Sequence, residues 1–177
     1  MSEETNNQPQ TNDEPAQANT DAKQPSFAIK RIYLKDLSFE TPMGLEAFNQ
    51  QQPPKVEQEL NVQISKLDDS HHEVVLLLTV TAKIGERTAF LIEVKQAGVF
   101  AISNLEGLQL AQTINSTCPN ILFPYARETI DSVLSRGTFA ALMLPPINFD
   151  AVFAQAINSA KQQAEAQQQA QTATSDA

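Results

Sequence analysis

Between residues 68 and 73 the chain reads Asp68-Asp69-Ser70-His71-His72-Glu73. Two imidazoles and three carboxylates in six residues are the right atoms for a divalent metal, since His nitrogen and carboxylate oxygen are both common ligands. The spacing opposes that reading. Adjacent side chains on an extended segment point to opposite sides, so His71 and His72 do not converge on one ion, and the chain holds no third histidine. A solvated turn between two strands suits an Asp-Asp-Ser run better. Cys118 is the sole cysteine. No His stands in a recognisable local signature with it, and a lone Cys among apolar neighbours behaves as a small hydrophobe. Glu57 and Glu59 lie two apart on an extended segment, both in water, where nothing drives their pKa values apart for acid and base work. The five glycines are scattered and form neither GxGxxG nor GxxxxGK[ST], so no loop is ready for a dinucleotide or for ATP. No catalytic residue, no metal and no cofactor are therefore expected. Binding is the chemistry that remains.

The elements that would position a binding surface come mostly early. Phe27, Ile29, Ile32 and Leu34 alternate with a change of parity near Arg31, which predicts a strand with a bulge. Val56, Leu60, Val62 and Ile64 share one face of a second strand, interrupted by the polar Gln58. From Glu73 to Ile84 the even positions are Val74, Leu76, Leu78, Val80, Ala82 and Ile84, the clearest strand in the chain. Gly85-Glu86 closes a hairpin into a fourth strand over Arg87 to Gln96, where Phe90, Ile92 and Val94 alternate with Leu91, Glu93 and Lys95. After Gly98 the period becomes helical: a short helix near Leu105 to Ala111, then a main helix carrying Ala126, Ile130, Val133 and Leu134, with Gly137 placed for a left-handed cap. Leu144-Pro145-Pro146 reads as an extended connector, and Asn148 or Asp150 as the cap of a last helix through Val152, Phe153, Ala156 and Ile157. Strands first and helices afterwards argue for an α+β fold with a four-stranded antiparallel sheet.

Composition divides the chain into three stretches. Residues 1–26 are acidic and polar, with no large apolar side chain after Met1 to offset the entropy of ordering, and are expected to be disordered. Residues 27–158 form one domain. Residues 159–177 are rich in Gln and Ala; they suit a helix but lack a stripe to dock one, so a flexible tail is expected. The formal charge is −9, and no Lys/Arg stripe offers counterion release, so nucleic acid is an unsuitable partner. The N-terminus has no basic and apolar signal pattern, and no run approaches the ~20 apolar residues of a membrane span. Protein partners in the cytoplasm are the expectation.

Specific stretches sharpen this. Cys118-Pro119-Asn120-Ile121-Leu122-Phe123-Pro124-Tyr125-Ala126-Arg127-Glu128 resembles the most distinctive segment of the SecB protein-export chaperone family. Ile32-Tyr33-Leu34-Lys35-Asp36-Leu37-Ser38-Phe39-Glu40, Thr88-Ala89-Phe90-Leu91-Ile92-Glu93-Val94 and Ser135-Arg136-Gly137-Thr138-Phe139 resemble it too, and the likeness runs from about Phe27 to Phe153.

The resemblance implies a homotetramer built as a dimer of dimers, holding unfolded secretory and outer-membrane precursors without ATP and passing them to the SecA translocation motor. It maps motor contacts onto Asp36, Glu40, Leu91 and Glu93, with Asp36 and Glu40 following the first strand. Candidates for a client groove are Leu60, Val62, Phe90, Ile92, Val94 and Phe100. The family's second, C-terminal contact with the motor is expected to be weak, because the tail carries only Glu165 and Asp176 as side-chain acids. A related reading is a SecB-like holder dedicated to one partner, such as the antitoxin of a toxin–antitoxin system. A metal enzyme built on His71 and His72 ranks last.

Overall fold

The computed structural model describes the backbone of residues 24–175 and side chains as far as residue 163. Most of the segment expected to be disordered, and the side chains of Glu165 and Asp176, lie outside the described residues. Four strands, β1 (Ser26–Glu40), β2 (Lys55–Lys66), β3 (His71–Ile84) and β4 (Arg87–Ser103), form one antiparallel sheet in the order β1-β4-β3-β2. Helix α1 (Gly107–Gln112) runs through a π turn (Thr113–Thr117) into α2 (Cys118–Arg136), and α3 (Phe149–Ser175) closes the described chain. Helix α2 packs across β3 and β4.

Alternation decides which sheet face is buried. The even residues of β3, Val74 to Ala82, meet Phe90, Ile92, Val94 and Phe100 of β4 beneath Leu122, Ala126, Ile130 and Leu134 of α2, and all are buried. This is the inner face. The odd residues, among them Thr79, Thr81, Leu91, Glu93 and Lys95, make the outer face, opposite the one on which α2 packs. Gly85 takes φ +59° at the hairpin, a conformation that costs glycine little.

Several boundaries differ from expectation. The bulge foreseen near Arg31 sits between Ile29 and Arg31, and a second lies between Leu34 and Asp36. The second bulge lets β1 continue to Glu40, so Asp36 and Glu40 lie within the first strand rather than after it. Strand β4 likewise runs past Gly98 to Ser103, because Phe100 and Ile102 keep the even inner parity. Gly137 caps α2 with φ −77°, and the left-handed position falls to Thr138 at φ 61°. What requires glycine at 137 is space: a Cβ there would stand 2.7 Å from the Phe39 ring. Asn148 is the cap of α3, its Oδ1 accepting from the Ala151 N–H at 3.0 Å. Asp150 instead accepts from the buried Ser116 hydroxyl at 2.6 Å, tying α3 to the π turn. Backbone from 159 to 175 continues α3, as strong helix formers such as Gln and Ala permit.

Candidate functional site: the outer face of the sheet and the inner apolar concavities

The histidine segment is structural. Asp68 Oδ1 accepts from the backbone N–H groups of Ser70 and His71, each at 2.8 Å, and its carboxylate contacts His71 Nδ1 at 2.8 Å, which closes the β2–β3 turn. The Ser70 and His71 hydrogen bonds hold Asp68 far below the usual carboxylate range. His72 points to the other face and is buried. Among the described residues no three His, Cys, Asp or Glu side chains gather as a metal would need. Cys118 is fully buried, and burial pushes its thiol up to about 12, so at neutral pH it is no nucleophile. Glu57 is paired with Lys55 at 2.8 Å and Lys83 at 3.1 Å, which lowers its pKa.

Strand register brings Asp36, Glu40, Leu91 and Glu93 together. Asp36 lies opposite Lys95, Ser38 opposite Glu93 and Glu40 opposite Leu91, so these side chains share the outer face. Across β3 the same rows continue through Thr79 and Thr81 to Glu59 and Glu57 on β2. The result is a surface with carboxylates around one partly exposed leucine. Lys95 sits among them, 2.8 Å from Asp36 and 3.5 Å from Glu93, and holds Asp36 below the usual carboxylate range. Further along, Lys35 at 2.6 Å and the Tyr33 hydroxyl both donate to Glu73, bracing β1 against β3 over the intervening β4.

The six groove candidates separate. Phe90, Ile92, Val94 and Phe100 are core side chains, at most 2 % exposed. Leu60 and Val62 are partly exposed at the mouth of a concavity of about 220 Å3, completed by Asn115 and by Val152, Phe153 and Ala156 of α3. A second concavity, about 430 Å3, is walled by Phe48, Pro53, Ile84, Phe90, Phe139 and Leu142. Phe139 stacks edge-on to Phe90 at 4.9 Å and lies 4.8 Å from Phe48 on the short 3-10 helix Gly44–Asn49. Periodicity could not find Phe48, because it sits alone between the strands. A further concavity, about 590 Å3, lies on the flank of α2 at Arg127, Glu128, Asp131 and Ser135.

The family model described as preprotein translocase subunit SecB matches residues 20–160. The chain belongs to the SecB family. A "Protein-export protein SecB" of Cellvibrio japonicus is 64% identical over 141 residues, 80% of this chain and 84% of the relative. The protein of the same name from Saccharophagus degradans is 55% identical over 163 residues, covering 91% and 94%. Among solved structures, the Mycobacterium tuberculosis SecB-like chaperone, in complex with a peptide from the HigA1 antitoxin, aligns with a TM-score of 0.54 at 17% identity, over 68% of this chain and 87% of that one. At that identity the likeness shows the fold. This SecB-family chain thus has the α+β architecture its sequence implied, an antiparallel four-stranded sheet followed by helices.

Proposed function

We propose that this chain is an ATP-independent export chaperone that holds unfolded precursor proteins and delivers them to the SecA translocation motor. The observation that carries the delivery step is the convergence of Asp36, Glu40 and Glu93 around Leu91 on the sheet face opposite α2. Such a surface suits a basic partner with an apolar side chain at its centre, and exposed charge steers its approach. Glu59 extends the same face from β2. The many close relatives named for protein export favour this reading over a holder dedicated to one antitoxin.

Client holding needs a different surface. An unfolded chain exposes apolar side chains that folding removes, so shallow apolar concavities select the unfolded state without a sequence motif. The aromatic concavity at Phe48 and Phe139 and the smaller one at Leu60 and Val62 are suited to this, at roughly 25 cal/mol per Å2 of apolar surface covered. Several such sites on one assembly add through effective concentration. Phe90 belongs to the first concavity as part of its wall, while Ile92, Val94 and Phe100 support the sheet beneath.

Homotetrameric assembly is part of the proposal. Inward-facing Phe27, Ile29, Leu34 and Leu37 of the edge strand β1 remain 38 to 48 % exposed, because α2 covers β3 and β4. A half-covered apolar row on an edge strand is a surface for a second copy. No helix among those described is long and apolar enough to cross a membrane, and action in the cytoplasm, with no catalysis of its own, completes the reading.

Replacing Asp36 and Glu93 together by Ala should weaken binding of the motor at least severalfold while leaving capture of an unfolded precursor intact. Full motor affinity in that variant would remove the site assignment.

A further inference from the structure

Lys95 stands in the middle of the surface just assigned to the motor. It lies directly opposite Asp36 in the β1–β4 register, and Glu93 is its neighbour on the same face of β4. Its Nζ therefore reaches both carboxylates, at 2.8 Å and 3.5 Å. The nearby Lys35 is engaged elsewhere, with Glu73 at 2.6 Å. Glu40, by contrast, has no ion pair among the described residues. Two of the three acids of the surface thus carry a counter-ion supplied by the chain itself, and among the described residues the third does not. The response of the groups agrees: Asp36 is held low by Lys95, and Lys95 is raised by Asp36.

We propose that Lys95 is an intramolecular competitor that sets the strength and salt dependence of the motor contact by occupying Asp36 and Glu93 in the free chaperone. The inference rests on the motor-contact reading of the outer face. A lysine or arginine arriving at Asp36 must displace an ammonium already at hydrogen-bonding distance. Its gain is the difference between two exposed ion pairs, each weak in itself. Lys95 also repels the incoming cation. Glu40 offers a carboxylate without that cost, beside Leu91. The surface consequently responds poorly to a single stray cation and well to a partner that brings several cations and an apolar side chain at once.

Lys95 as a clamp that merely positions the two carboxylates has the opposite consequence, because losing a clamp weakens the contact. Calorimetric titration of the intact motor into the full-length chaperone separates the two, using wild type, Lys95→Gln, Lys95→Arg and the double variant Asp36→Ala with Glu93→Ala, at low and at physiological ionic strength. Lys95→Gln should bind roughly three- to tenfold tighter and show a steeper loss with salt. Lys95→Arg, which keeps the ion pairs, should behave as wild type. The double variant should bind more weakly. If Lys95→Gln is unchanged or weaker while the double variant is impaired, the competitor role is overturned and the motor site stands. If neither Lys95→Gln nor the double variant alters binding, the motor-contact reading fails and the competitor role fails with it.

Discussion

The Cys118 thiol lies in the core cluster with Leu122 and Phe100, and its surroundings decide its chemistry. Burial disfavours the thiolate, so the folded-state pKa stands near 12, against about 8.5 for a thiol in water. The folded state therefore binds this proton more tightly than the unfolded state. The stability it contributes is fully present below about pH 8.5 and is lost as pH rises toward about 12. Denaturant titrations of wild type and Cys118→Ala at neutral pH and near pH 10 should show the wild type losing more stability than the variant between the two. Equal losses would contradict the account. At the same scale, the Asp68-Asp69-Ser70 run was legible as the turn between two strands, because side chains that hydrogen-bond their own backbone two residues on have a local signature. Alternation alone put Lys95 on the face of Leu91 and Glu93, but its place opposite Asp36 comes only from the strand register.

Parity carried the strands a long way. Val74, Leu76, Leu78, Val80 and Ala82 of β3 and Phe90, Ile92 and Val94 of β4 are all buried, as alternation requires. It stopped short at two places for the same physical reason. A strand that bulges changes which face its side chains take, so the step from Leu34 to Leu37 looked like an ending and hid Asp36 and Glu40 inside β1. Gly98, a residue type that usually punctuates, lies inside β4, because Phe100 and Ile102 keep the inner parity. Four groove candidates went to the core because an inward strand face and an apolar groove have the same pattern until a helix is placed over one of them. The end of α2 supplies a test of close packing. Gly137 abuts the Phe39 ring, which touches Phe90 and Phe139 in turn. Gly137→Ala should cost about 1–3 kcal/mol by overpacking and loosen the aromatic concavity. A chemical-denaturation midpoint equal to wild type would show that the Phe39 contact yields freely.

For the molecule as a whole, the proposed function gives one sheet two purposes. Its inner face supports α2 and the apolar concavities at the rim, while its outer face carries the acidic surface, so a held client and a docked motor need not compete for the same side chains. Holding without nucleotide depends on apolar surface that only unfolded chains can use. Size-exclusion chromatography with light scattering tests this most directly, run without ATP on the protein alone and with a slow-folding secretory precursor added either unfolded or already folded. The expected result is a particle near four times the chain mass, shifting to higher mass with the unfolded precursor and not with the folded one. A monomer that ignores both forms of the precursor would contradict it.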